Sequence, residues 1–263
     1  MDDGDLGMLA DTLEKSMTSA LAAGTPNVED VLADLGWLEM LDEIPQEATA
    51  LVFRLLGATG TNAGVVNDVV LAAAGRAPGG TIALPYTGGR WVVWERTDSA
   101  RSAMDPELPI RHSEPGADLP LAAGRLALGW WLAGSARAML VLARQHAVDR
   151  VQFGRPIASF QAVRHRLAET LVAVEGAEAT LLAAQDDLGC LLAKAAAGQA
   201  ALTTAKHCQQ VLGGIGFTAE HDLHRHVKRA YVLDGLLGSA RDLTREAGAA
   251  VRLLGHAPRL GNL

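Results

Sequence analysis

A chain of 263 residues that is 49% apolar but only 4% aromatic can bury a real core, and its alanine-rich balance suits closely packed helices better than a β-sandwich. The net charge of -7 excludes a general nucleic-acid binder, which needs a concentrated basic surface to meet phosphates. The two cysteines, Cys190 and Cys208, lack metal-type spacing and read as buried reduced thiols; with an acidic N-terminal stretch that has no signal pattern, they place the expected location in the cytoplasm.

Apolar residues at Leu6, Leu9, Leu13, Met17 and Leu21 predict a helix over 5–23 that stops at Gly24-Thr25-Pro26. A second helix is expected from Asn27 or Val28 to Leu35-Gly36, with Asn27 as N-cap. Residues 45–75 read as helical with a glycine-containing interruption at 57–62. The period then changes: 79–85 and 88–94 are short β-branched or aromatic runs split by turn residues, which predicts a hairpin or small sheet. Residues 98–118, rich in Pro, Asp, Ser and Glu, read as a linker.

From Leu119 onward almost everything reads as helix. The predicted segments are 120–149, then one from Ser159 (as N-cap) to Leu188-Gly189, then 191–212 ending at Gly213-Gly214, and finally 219–254 with a break near Asp234-Gly235. The apolar stretch Leu126 to Ala136, bracketed by Arg125 and Arg137, is too short to span a bilayer and reads as buried helix. Antiparallel helices with short connections make a bundle. The predicted fold class is mainly α, divided into a reduced N-terminal helical region (1–75), a short β-like segment and linker (76–118), and a C-terminal helical bundle (119–263).

Two segments carry the chemistry. Arg150-Val-Gln-Phe-Gly-Arg-Pro-Ile157 is a turn between two long helices, with Phe153 and Phe160 as apolar anchors and Pro156 blocking continuation. An arginine there suits a bidentate phosphate contact and a phenyl ring can stack on a purine; a plain helix connection with a surface arginine is the other reading. Gln210-Val-Leu-Gly-Gly-Ile-Gly-Phe217 ends a helix in a glycine-rich turn, where backbone N–H groups can approach a phosphate without Cβ interference; a simple C-cap is the alternative. It is no Rossmann fingerprint, since a helix precedes the glycines. His221, His224 and His226 do not complete a metal set and read as a solvated basic helix face, and His165 reads as structural or adjacent to a bound ligand.

Taken together, Arg-x-x-Phe-Gly-x-Pro-Ile followed by Phe160, Gln161, His165, Leu167 and Ala168, and then Gln-x-x-Gly-Gly-x-Gly-Phe, resemble the flavin segments of the acyl-CoA dehydrogenase family over roughly 120–255. The resemblance implies FAD contacts at Arg150, Phe153, Gln161, Gln210, Gly213 and Gly214, made at the adenine and diphosphate end and across a subunit interface. It also aligns the family's catalytic glutamate, nine residues after an arginine, with Asp234 after Arg225. Asp234 is one methylene shorter than that glutamate, and an Asp before Gly at a helix junction is equally a cap. The alternative position for a base, just before Arg125, is Gly124.

The family's ring-side strings, which hold the isoalloxazine, are absent from 79–97. The resemblance therefore implies a short subunit of an α2β2 heterotetramer, like those of actinobacterial steroid catabolism. A larger acyl-CoA dehydrogenase-like partner would hold the flavin ring, with acyl-CoA as substrate and an electron-transfer protein as acceptor. Two alternatives stay open: a non-catalytic scaffold that completes the partner's FAD site, and a helical interaction module without flavin.

Overall fold

The computed structural model describes residues 3–96 and 105–258. Five helices come first: α1 (Asp3–Ala22), α2 (Glu29–Asp34), α3 (Trp37–Glu43), α4 (Pro45–Thr59) and α5 (Val66–Ala73). A three-stranded antiparallel sheet follows, β1 (Ala83–Tyr86), β2 (Arg90–Trp94) and β3 (Ile110–Ser113), in that spatial order. The remainder is the bundle of α6 (Ala122–Asp149), α7 (Gln161–Ala183), α8 (Asp187–Leu212), α9 (Leu223–Gly235) and α10 (Ala240–Leu254), with a two-strand ribbon, β4 (Val151–Gln152) and β5 (Arg155–Pro156), between α6 and α7.

The mainly helical class is as expected, but four local expectations are corrected. Gly57 sits inside α4 rather than breaking it, because its missing Cβ lets α6 come close: a methyl there would stand 2.3 Å from the Trp131 carbonyl oxygen. Gly134 on α6 returns the contact, since a methyl there would stand 2.1 Å from the Arg54 carbonyl oxygen, so two helices touch backbone to backbone. The chain leaves the helix only at Gly60, whose φ of 76° is left-handed. The expected linker holds strand β3, which pairs with β2 from Trp91↔Ser113 to Trp94↔Ile110; its first residues, 98–104, lie outside the described residues. Polar side chains on an edge strand hide it from a hydrophobic pattern.

Ser159 does not cap α7: it lies in a 3-10 turn, Phe160 occupies the cap position, and the helix begins at Gln161. The helix ends at Ala183, not near 188, because Asp186 caps α8 by accepting the Gly189 N–H at 2.6 Å. Asn27 accepts the Glu29 N–H at 3.0 Å, one step outside the formal cap residue. Helix α3, which the sequence pattern did not reveal, is set by left-handed Gly36 and by the indole of Trp37 donating to Asp68 at 3.0 Å.

The core runs along α6, packed between α4 on one side and α8 on the other. Helix α6 is long and apolar enough to cross a membrane by length and composition, but 67% of that window is buried within the protein, so it serves as the bundle's central core helix. A chain of rings joins the three regions: Trp94 on β2 and Phe53 on α4 stand 5.4 and 5.7 Å from Trp131 on α6, and Trp37 lies 6.2 Å from Phe53. Both cysteines are buried thiols, and burial pushes Cys208 up to about 12.

Candidate functional site

The α6–α7 connection is built to present one ring. β4 and β5 pair as Val151↔Pro156 and Gln152↔Arg155, leaving Phe153-Gly154 as a two-residue loop. Both loop residues have positive φ, 56° and 78°, as in a type I′ hairpin turn. For phenylalanine this conformation costs about 1–2 kcal/mol. The ring receives little in return, since Phe153 is 91% exposed and touches Phe160 edge-on at 6.1 Å. Arg155 covers the other aromatic, its guanidinium 4.3 Å from the Phe160 ring centre. Arg150 is held by its backbone, donating to the His146 carbonyl at 2.9 Å and accepting from the Ile157 N–H at 2.8 Å. Its guanidinium is exposed and forms no ion pair or hydrogen bond among the described residues.

The end of α8 comes to the same end of the bundle, because α7 and α8 run antiparallel and the start of one packs on the finish of the other. Gln210 is exposed and lines a cleft of about 380 Å³ with Ala162, Val163, Arg166, Lys206, His207 and Val211. Gln161, also exposed, opens α7 directly beside Ala162. α8 stops at Gly213 (φ 66°), and neither Gly213 nor Gly214 has any atom within 4 Å of where a Cβ would stand. The turn therefore offers open backbone. His221, just beyond it, stacks edge-on against His146 at 6.4 Å and ties the two segments together.

Asp234 lies elsewhere, at the α9–α10 junction, and is 8% exposed. Its Oδ1 accepts the Ala240 N–H at 3.0 Å and fills the space left by Gly198 on α8, where a Cβ would be 2.2 Å away. Lys194, fully buried one turn earlier on α8, donates to the carbonyl oxygens of Asp234 and Gly238, both at 2.6 Å. Burial pushes the Lys194 ammonium down to about 7, with the Asp234 charge acting in the opposite direction. Tyr86 on β1 closes the junction: the Thr87 N–H donates to the Gly235 carbonyl and the Leu237 N–H to the Pro85 carbonyl, each at 2.8 Å. The sheet and the junction thus fold over Asp234.

The histidine segment corrects one expectation. His226 and Arg229 face inward, 7% and 1% exposed, and do not belong to a solvated face. Arg229 reaches Asp105 at 3.0 Å, Glu107 at 2.8 Å and the carbonyls of Gly60 and Thr61 at 2.8 and 2.6 Å, so α9 is pinned across the α4–α5 turn. Burial, then the charges of Arg229 and Arg225, pushes His226 down to about 4. His165 is exposed on α7.

The sequence reading passed over Lys194, Arg229 and the cleft cations Arg166 and Lys206. Lys206 precedes Gln210 by one helical turn and shares its face, a spacing legible in principle. The partners of Lys194 and Arg229 are distant in sequence, so nothing local marked them.

Residues 117–241 match the acyl-CoA dehydrogenase C-terminal domain. The chain is 36% identical over 222 residues to the acyl-CoA dehydrogenase FadE34 of Mycobacterium tuberculosis, covering 74% of this chain and 31% of that protein. It is 29% identical over 259 residues to the acyl-CoA dehydrogenase IpdE2 of Mycolicibacterium smegmatis, covering 94% of this chain and 78% of that one. The fold superposes on a chain of the Tcur3481–Tcur3483 steroid ACAD (TM-score 0.77, 19% identity, 96% of this chain and 99% of that one). It also superposes on a chain of the ChsE4–ChsE5 complex from Mycobacterium tuberculosis (TM-score 0.68, 18% identity, 98% and 99% covered).

Proposed function

The chain belongs to the acyl-CoA dehydrogenase family, and on that premise we propose that it is one subunit of an FAD-dependent enzyme that α,β-desaturates an acyl-CoA thioester, with a steroid-derived acyl group favoured. The observation that carries this reading is the exposed, strained Phe153 held beside the unpaired Arg150 guanidinium, at the bundle end that also bears Gln161, Gln210 and the open Gly213-Gly214 turn. Strain kept in a side chain with few contacts of its own points to a contact made elsewhere.

These residues fit one half of FAD. The Arg150 fork suits a diphosphate, the Phe153 ring suits a purine face, and amides at Gly213 and Gly214 can approach phosphate oxygens without side-chain interference. Gln161 and Gln210 add neutral donors and acceptors at the rim. When bound, the flavin supplies the acceptor for the hydride that leaves the β-carbon of the thioester. This chain's own share is to bind and orient the nucleotide end. The other half is the proposed task of a larger acyl-CoA dehydrogenase-like subunit in an α2β2 assembly, which passes its electrons to an electron-transfer protein. That the fold neighbours are chains of the two-component Tcur3481–Tcur3483 and ChsE4–ChsE5 proteins supports a partner.

A specific observation favours a second reading, in which this subunit supplies no base. A general base must come within about 2.6–3.2 Å of the proton it removes. The Asp234 carboxylate is instead turned into Gly198 and the first turn of α10, beneath Tyr86 and beside Lys194. In this reading the partner carries the carboxylate and Asp234 acts as a cap.

The chain co-expressed with its larger partner should purify with bound flavin. Arg150→Ala is expected to lower the flavin-to-chain ratio while the melting temperature of the apo complex stays unchanged. A flavin ratio unaffected by Arg150→Ala would remove the flavin role. Asp234→Asn separates the two readings of the base: turnover within about twofold of the parent supports the cap, and a loss on the order of 10²-fold or more at unchanged flavin content assigns Asp234 to proton transfer.

A further inference from the structure

The N-terminal helices leave one face of α4 uncovered. Leu6 and Ala10 of α1, Leu51 of α4, Trp130 of α6 and Leu182 of α7 line an open groove of about 360 Å³, at the opposite end of α7 from Gln161. α1 cannot fill it, because the residues that it turns toward α4 include Gly7 and Ala10, and α4 meets them with the small side chain of Ala50. Leu182 is 76% exposed, so this large aliphatic side chain buries little in the isolated chain.

Two charges mark the groove. Glu47 and Arg54 are both exposed on the α4 face that lines it, and neither side chain makes an ion pair or hydrogen bond among the described residues. They stand about 10 Å apart along the helix, two turns, so they do not answer each other. Between them on the same face lie Ala50 and Leu51. This stripe is its own complement. A second α4 laid antiparallel on the first, about a twofold axis passing between Ala50 and Leu51, sets Glu47 of each copy against Arg54 of the other. The same operation faces Ala50 of one copy with Leu51 of the other, small against large, as close helix packing requires. A parallel pair in register would set like charges together.

We propose that this α4 face is a homotypic contact, and that its occupant is the α4 face of a second copy of this chain. Two reciprocal Glu47–Arg54 pairs fix the register, and Leu182 of each copy adds apolar area at the edge. The inference deepens the α2β2 reading above, which needs two copies of this chain, by naming the surface through which they meet. It uses none of the residues assigned to flavin.

Sedimentation velocity tests it, on the chain alone and on the complex with its larger partner. The chain alone should sediment as a dimer whose population rises with concentration. Arg54→Glu sets two carboxylates together twice in each dimer and should weaken self-association at least about tenfold, as should Glu47→Arg. The double variant rebuilds both pairs with their signs exchanged and should return to within about threefold of the parent. In the complex, each single variant should lose one copy of this chain per particle, and the double variant should regain it. Both side chains are exposed and unpaired, so an unchanged melting temperature confirms folding. Single variants that associate like the parent, or a chain that is monomeric alone and present once per complex, overturn the proposal. A double variant as weak as the single ones overturns it too, and assigns the groove to the larger subunit instead. Charge-dependent self-association in a complex without flavin keeps this contact and rejects the flavin reading. Association indifferent to the substitutions at full flavin content rejects the contact and keeps the flavin reading.

Discussion

The α6–α7 end of the bundle and the α9–α10 junction both carry residues that resemble a flavin enzyme, yet their physics is opposite. At the first, Arg150, Phe153, Gln161 and Gln210 are exposed, one of them is strained, and their polar groups are left to solvent. At the second, Asp234 and Lys194 are buried, as is Arg229 further back on α9, and each answers a specific backbone or side-chain group. Polar groups left open at a rigid surface are available to a ligand or a partner. Polar groups satisfied in the interior are committed to holding elements together.

The comparison breaks most visibly at Arg229. Removing one partner from a buried ionic network costs about 3–5 kcal/mol. Arg229→Ala should therefore lower the urea midpoint by that free energy and leave little folded protein at 37 °C. A cost under about 1 kcal/mol would mean that α9 is not pinned as described.

Gly198→Ala comes next. The added methyl meets a buried Asp234 oxygen 2.2 Å away, so either the carboxylate or α8 must move. The expected loss is about 1–3 kcal/mol by denaturation. An unchanged midpoint would show that Asp234 is free to swing, which would reopen it as a base.

The pH dependence sharpens the same point. Lys194 titrates near 7 in the folded chain against an ordinary 10.5, so between those values the unfolded state holds more protons. Stability therefore rises as pH goes from 7 toward 10.5 and is lost as pH falls through 7, with a slope of at most ~1.4 kcal/mol per pH unit. Lys194→Met should flatten this slope in urea titrations at pH 7, 8 and 9. His226 adds a second window: depressed to about 4 from 6.5, it withdraws stability as pH falls from 6.5 to 4.

The smallest effect lies at the open end. Phe153→Asn relieves the left-handed strain but loses the edge contact with Phe160, and the two changes offset to within ~0.5 kcal/mol. Flavin retention in the complex should fall nonetheless. A variant that is both equally stable and fully flavinated would place Phe153 outside the site.

What the sequence determined by itself was whatever depends on near neighbours. Periodicity gave the long helices of the bundle, Gly213-Gly214 gave the end of α8, and the order Arg150…Phe153…Gln161 with Gln210…Gly214 carried the resemblance to the family's flavin-binding segments. These signals are local, because a helix face, a turn and a glycine stop are each written within a few residues. What only the tertiary structure decided depends on residues far apart. Gly57 continues a helix because Gly134 faces it, β3 forms because β2 offers an edge, and His226 turns inward because Arg229 crosses to Asp105 and Glu107. The same holds for Asp234. Its place after Arg225 aligns it with the family's catalytic glutamate, but Gly198, Lys194, Tyr86 and Ala240 gather around it from three other elements and fix which way its carboxylate points.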